Sequence, residues 1–489
     1  MFVEIDNNYA SAIDIDVEMR KLRNAQGGIS AIQAMQFLKK TNHIANIKFI
    51  IKEIKKLSKE DRWYYKSFVL SAIERREHAK SVYEDLRALA VEGGYEDEFL
   101  VADYHTKVYL PTDCKFYKIN DNNAHELEEC IKKNIRCVVS FAGKRSMVDL
   151  SGLDLKMVAH LSLHKTRVSF DRAKNIPPYT DLSDCSGIKF GECDLSRFSN
   201  FNFAWGTAVR FRRDYNFPDD TNFCNAHSVI FEDCDLRRMD NVSIVKKGDF
   251  NNVKLPDAIY LYPHAEVRFA DCDFSTVKEM SYTSGIIHTK EIAFVRCCNL
   301  PKVLDLSMSE YVIFYDTDLK GVKKIKFCVG KRICLTGAYN FPEVLSFPPL
   351  TNLNSVCLND CDLNGVKKLE FSPKSSVEFE RAKNLPENLD LSNCYRVDLI
   401  EADLTGVKNI KFGKGTVVVL RKAKNLPEFL DFSMCEHVYL DDTCLENVKK
   451  IKFESKEQEK NILKGINYKG RTIWDNNIIK RIFKGRSDM

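Results

Sequence analysis

A small residue returns along the last two-thirds of this 489-residue chain at a nearly constant step: Ala173, Cys193, Asp214, Cys234, Val253, Cys272, Cys297, Thr317, Ala338, Cys361, Ala382, Ala402, Ala423 and Thr443. The steps are mostly 20 or 21 residues, with 19, 23 and 25 at the irregular places. A unit of that length is too small to bury its own apolar face, so it must stack on its neighbours. The period therefore predicts a repeat architecture of like coils.

A longer register lies on top of the short one. The stretch opening Asn384-Leu-Pro-Glu returns at Asn425-Leu-Pro-Glu, an offset of 41 and twice the basic step. Earlier copies begin at Asn175-Ile-Pro, Asn216-Phe-Pro, Asn299-Leu-Pro and Asn340-Phe-Pro, with a damaged one at Lys254-Leu-Pro, so two coils alternate. Within a coil, Ser392-Asn-Cys-Tyr-Arg, Val397-Asp-Leu-Ile-Glu and Ala402-Asp-Leu-Thr-Gly form consecutive five-residue units, each with an apolar or small residue third. Ser183-Asp-Cys-Ser-Gly, Ile188-Lys-Phe-Gly-Glu and Cys193-Asp-Leu-Ser-Arg do the same.

These fives resemble the A(D/N)LXX motif of pentapeptide-repeat proteins, over roughly 300 residues. The resemblance implies a quadrilateral β-helix. The frame is degenerate, since alternate coils such as 406–424 carry an extra residue, and Val356-x-Leu358-x-x-Cys361-x-Leu363 also fits short bacterial leucine-rich repeats. Either reading yields a mainly β, parallel β-solenoid of about 14 coils, which at ~4.8 Å per coil is a stack of roughly 70 Å. The expected organisation is a helical or mixed N-terminal domain over 1–99, a small α/β connector or cap over 100–147, the solenoid over 148–453 and a short helical C-terminal cap over 454–489.

The repeat positions read as structural. Cys193, Cys234, Cys272 and Cys361 share one position, and Cys185, Cys394 and Cys435 another, where sister coils carry Ala, Thr or Ser; such interchange selects small volume rather than thiol chemistry. Asn175, Asn216, Asn299, Asn340, Asn384 and Asn425 mark one corner; Asp194, Asp235, Asp273, Asp318, Asp362 and Asp403 mark it in the alternate coils. Short polar side chains at turns bond local amides, and stacked copies bridge coils. An outward position reads Asp390, Lys411, Asp431, Lys452, with Asp305 and Lys326 earlier, which gives cross-strand attraction rather than a basic track.

Outside the repeat, residues 30–94 carry helical punctuation: Ser30 before an apolar-periodic stretch, Ser58 with Asp61 as a capping-box-like start, and Gly93-Gly94 as a stop. A helix over 124–133 sits among short apolar runs at 107–110, 116–119 and 135–141. After the repeat, Trp474, Ile478, Ile479, Ile482 and Phe483 would pack on the last coil, covering ladder edges that otherwise recruit other chains.

The 74 basic and 69 acidic groups balance to +5, which argues against nucleic-acid coating and against an acidic DNA mimic, a gyrase-protecting role known in the pentapeptide family. The opening segment is acidic and lacks the apolar core of a signal peptide, and no apolar run approaches a membrane span, so the expectation is an intracellular, cytoplasmic chain with reduced thiols, delivery into a host cell being a further route. There is no GxxxxGK[ST], HExxH, GxSxG or paired CxxC. His105, His125, Cys130 and Cys137 lack a distinguishing spacing, so no catalytic, cofactor or metal residue is assigned and no cofactor is expected.

The expected function is a non-catalytic scaffold that binds another protein through a rigid repeat surface. Partner-binding candidates are Lys411 and Lys452 on the repeat and the tail cluster Lys480, Arg481, Lys484 and Arg486. The alternative is a regulatory or effector-like protein whose solenoid positions an activity in residues 1–147; some pentapeptide-repeat proteins belong to host-directed ubiquitin ligases, but this chain has no matching large catalytic domain.

Overall fold

The computed structural model describes residues 44–56, 66–74, 82–92, 99, 114–119, 129, 133, 136–141 and most of 147–459; within that last span 165, 179, 199–200, 202, 220–222, 224, 284–287, 328, 330–331 and 350–354 are left out. The chain divides into two compact units. One comprises Met1–Ser146, Asp154–Lys165 and Lys174–Asp181; the other comprises Met147–Leu153, Thr166–Ala173 and Leu182–Met489.

The first unit holds helices at Ile44–Ile54, Lys66–Glu74 and Tyr83–Glu92. Ile47, Ile50, Ile51 and Ile54 recur at helical spacing and are all buried, as the apolar period of this stretch predicts. The last helix buries Tyr83, Leu86, Leu89 and Ala90, with the Tyr83 ring 5.3 Å from that of Phe99, and it ends one residue before Gly93. Ser30, Ser58 and Asp61 lie outside the described residues. Strands Cys114–Ile119, Arg136–Phe141 and Val158–His164 pair in parallel, Phe116 opposite Val138 and Val138 opposite His160. Lys133 N donates to Glu129 O at 2.9 Å, a helical bond between the two described residues of the stretch 124–133 where a helix is expected.

The second unit is a parallel β-solenoid. Its first wall is a sheet of 15 strands, one from each successive coil, running from Val148–Asp149 to Cys435–Tyr439. Inward and outward residues alternate most clearly in Ala208–Arg212, where the side chains of Val209 and Phe211 are buried while Ala208, Arg210 and Arg212 are exposed. In-register pairing of successive coils, with shifts only at Ser375/Ser376 and Thr416/Val417 among the described residues, turns these inner positions into ladders. Phe170, Phe190, Phe211, Phe231, Phe250, Phe269, Phe294 and Phe314 form one continuous stack with centroids 4.9 to 5.7 Å apart.

The second wall is assembled in smaller pieces. Toward the C-terminal end it consists of two-stranded ladders, one per two-coil unit: Val303–Leu306 with Lys324–Phe327, Val344–Phe347 with Lys368–Phe371, Asn388–Leu391 with Asn409–Phe412, and Phe429–Asp431 with Lys450–Lys452. Here the large rings change walls. Phe327, Phe347 and Phe371 stack at 5.4 and 5.2 Å on the second wall, while Leu335 and Leu358 are buried where the first wall earlier carries phenylalanine. The exchange keeps the coil interior filled, as a close-packed core demands.

A helical turn follows the last described coil. Ser455 Oγ accepts the Gln458 N–H at 3.1 Å, opening a helical turn, and Gln458 Nε2 donates to the carbonyls of Phe432 and Cys435 at 3.1 and 2.7 Å. Trp474, Ile478, Ile479, Ile482 and Phe483 lie outside the described residues.

Candidate interaction surface

Each coil turns its sharpest corner just before the small repeat residue, and there the backbone is left-handed. Arg172, Glu192, Arg213, Asp233, Asn252, Asp271, Arg296, Asp316, Asp360, Arg381, Glu401, Lys422 and Asp442 all have φ between 49° and 58°, and Gly337 takes the position once at 70°. Because the corner recurs in register, these side chains form an outward column of mostly alternating sign. Arg213 meets Glu192 at 3.4 Å and Asp233 at 3.6 Å; Arg296 meets Asp271 at 2.6 Å; Lys422 meets Glu401 at 3.3 Å. The signal was present in the sequence, one residue ahead of the small position, but nothing there marks the residues as left-handed.

The second corner matches the expectation for Asp and Asn. Asp154, Asp194, Asp273, Asp318, Asp362 and Asp403 each accept the backbone N–H two residues on and the Nδ2 amide of Asn175, Asn216, Asn299, Asn340, Asn384 or Asn425, at 2.7 to 3.1 Å. The Asn425 amide and the Thr405 hydroxyl hold the Asp403 carboxyl below the usual carboxylate range. At Asp235 the asparagine is missing, and Lys254 stands 3.6 Å away instead.

Inside, the small repeat position is a hydrogen-bond donor to a main-chain carbonyl as well as a small volume. Cys193 Sγ donates to Phe170 O at 2.8 Å, Thr317 Oγ1 to Phe294 O at 2.9 Å and Cys361 Sγ to Leu335 O at 2.7 Å. Burial pushes the Cys193 and Cys234 thiols, and that of Cys394 at the other cysteine position, up to about 12, well away from thiolate chemistry. Asp214 breaks the pattern: it is 1% exposed and accepts the N–H groups of Cys193 and Arg212 at 2.7 and 2.8 Å. Burial pushes its carboxyl up to about 7.

Among the described residues, the second wall carries the feature best suited to recognition. From Val303 onward its first outward position reads Val303, Lys324, Val344, Lys368, Asn388, Asn409, Phe429 and Lys450, a run with no acid in it, whereas the preceding strand opens on the exposed Glu279. Val303, Val344 and Phe429 are 54%, 49% and 46% exposed, and the Lys450 ammonium lies over the Phe429 ring at 6.0 Å. A shallow groove lies beside this row, lined by Val407, Lys408, Leu426, Pro427 and Phe429 together with the acids Glu428 and Glu446, and its counterpart by Val322, Lys323, Phe341, Pro342 and Val344 together with Glu343; Glu428 and Glu343 are ion-paired with Lys449 and Lys367. The two grooves lie four coils apart, with Asn388 at the corresponding strand position between them.

The second outward row holds two of the residues expected to bind a partner. Lys452 Nζ lies 2.9 Å from Asp431 Oδ2, Lys326 pairs with Asp305 at 2.7 Å, and Lys411 stands opposite Asp390 in register. These lysines face acids in neighbouring coils, as their alternation implies. Lys480, Arg481, Lys484 and Arg486 lie outside the described residues, as do His105, His125 and Cys130, while Cys137 is fully buried in its strand. No helix of the described residues is long and apolar enough to cross a membrane. Compared with protein-family models, with curated proteins and with solved structures, the chain matches none of the three.

Proposed function

We propose that the chain is a non-catalytic protein-binding scaffold and that its partner docks along the acid-free row of the second wall. The observation that carries this reading is the return of an exposed apolar side chain, Val303, Val344 two coils on and Phe429 four coils further, at the same strand position and beside a lysine of the next coil. Two coils span roughly 10 Å, so an extended segment with apolar residues and carboxylates meets several equivalent subsites at once. A rigid frame lowers the ordering cost of each contact.

The repeat type is read as pentapeptide-like: the third residues of consecutive fives, Cys394, Leu399 and Leu404, and the first residues Val397 and Ala402, are all buried. A cytoplasmic setting accords with 17 cysteines, of which the described ones are free.

The test compares full-length protein with the Val344→Asp, Phe429→Asp double variant in capture from native lysate, alongside Lys411→Glu with Lys452→Glu. Loss of one partner in the first variant, at unchanged thermal stability, supports the acid-free row. Equal capture by all three proteins overturns it, and loss in the lysine variant alone moves the site to the paired row.

A further inference from the structure

Two cysteines stand apart from the interior thiol ladders. Cys334, in the strand Arg332–Cys334, and Cys357, in the strand Ser355–Cys357, are direct partners in the parallel pairing of neighbouring coils. Their inner neighbours Ile333 and Val356 point into the core, so both thiols stand on the outer face of the first wall. Thr336 Oγ1 sits between them, 3.2 Å from Cys334 Sγ and 3.4 Å from Cys357 Sγ. Cys334 is half-buried and reachable from solvent, whereas Cys357 is covered.

We infer that Cys334 and Cys357 form a reversible peroxide-sensitive thiol pair, closing to a disulfide that staples two adjacent coils. In-register neighbours of a parallel sheet have Cα atoms ~4.8 Å apart, inside the range of about 4.4 to 6.8 Å that disulfides span. The hydrogen bond with Cys357, and after it that with Thr336 and the nearby Arg332 charge, draw the Cys334 thiol below its ordinary range, which makes it the attacking thiolate.

The chemistry balances with hydrogen peroxide as oxidant. The Cys334 thiolate attacks one peroxide oxygen, the O–O bond breaks and hydroxide leaves, giving a sulfenic acid. The Cys357 sulfur then attacks the Cys334 sulfur, the S–O bond breaks and water departs with the Cys357 proton; overall, two thiols and one peroxide yield a disulfide and two waters. A thiol reductant such as glutathione reverses the step by exchange. The other facing pair, Cys272 and Cys297, lies in the interior, each 1% exposed, where an aqueous oxidant does not reach it.

Full-length protein is treated with equimolar hydrogen peroxide, free thiols are alkylated after denaturation, and the digest is mapped by mass spectrometry. The expected result is a Cys334 to Cys357 cross-link that glutathione removes, with Cys272, Cys297 and Cys361 recovered alkylated. In Cys357→Ser the Cys334 sulfenic acid persists and is trapped by dimedone; in Cys334→Ser no cross-link forms. Recovery of both thiols alkylated, a cross-link elsewhere, or over-oxidation of Cys334 in the unaltered protein overturns the inference, and that measurement needs no variant to fold.

Discussion

Arg381 reaches into the preceding coil and grips both carboxylate oxygens of Asp360, Nε 2.6 Å from Oδ1 and Nη2 2.9 Å from Oδ2, while its own backbone stands at φ 54°. One residue thus makes the bend of its coil and ties that coil to its neighbour. Replacing it by glutamate sets three acids, counting Asp360 and Glu401, along one column. Arg381→Glu is expected to lower the melting temperature, with part of the loss recovered in 1 M NaCl, a concentration at which screening extends only about 3 Å, and part in the compensating double variant with Asp360→Arg. A melting temperature independent of salt would remove the column from the stability argument.

At the second corner, Asn384 Nδ2 donates to Asp362 Oδ1 at 2.7 Å from a backbone held at φ 55°. Asn384→Ala removes the hydrogen bond and replaces a residue suited to the left-handed region by one that is not, which together cost about 1 to 3 kcal/mol. Asn384→Gly loses only the bond and is expected to cost about 1 kcal/mol or less. Urea unfolding of both variants separates the two contributions; equal losses would mean that the backbone conformation costs nothing here.

Asp214 makes stability depend on pH in an unusual direction. Its carboxyl titrates near 7 in the folded chain because of burial, against about 3.9 when unfolded, so the folded state holds the extra proton between those values. This contribution is fully present below about pH 4 and is lost as pH rises through 7. Facing groups are Cys193, Cys234 and Asp171. Asp214→Thr, which restores the hydroxyl found at Thr317 and Thr443, is expected to flatten the unfolding free energy between pH 4 and pH 7 by a few kcal/mol at most, since each tenfold change in proton affinity is worth about 1.4 kcal/mol. An unchanged slope in denaturant titrations at several pH values would assign the dependence to other groups.

The interior ladders set the cost of core truncation. Phe231 is fully buried and stacked between Phe211 and Phe250, each 5.2 Å away. Phe231→Ala is expected to cost about 3 to 5 kcal/mol in urea unfolding, because a stack between fixed coils collapses poorly around the void.

Gly337 and Gly321 offer a contrast in the same chain. A Cβ on Gly337 would lie 2.1 Å from Asp316 Oδ1, whereas on Gly321 it would meet nothing within 4 Å, and both have positive φ, 70° and 90°. Gly337→Ala is therefore expected to destabilise more than Gly321→Ala in chemical denaturation, the difference reporting the crowded carboxylate rather than the backbone.

The coil itself was legible from residue order alone. A small residue every 20 or 21 positions, with apolar residues at alternate sites between polar ones, has one low-energy outcome, since only stacking buries the apolar faces of units so short. The Asp and Asn corners were legible for the same reason: Asp403 and Asn425 are short polar residues repeated at a turn, and a turn supplies amides that need acceptors. Register was not legible where the period slips. Between Ala338 and Cys361 the step is 23, and Cys334 and Cys357 stand 23 apart, so the usual 20 or 21 does not mark them as partners. The first wall's hydrogen bonds align them there despite the longer step. The acid-free row of Val303, Val344 and Phe429 is likewise a product of tertiary structure. Exposure depends on which side of a strand faces outward and on what the neighbouring coil places beside it, and a linear order of residues specifies neither until every coil is stacked.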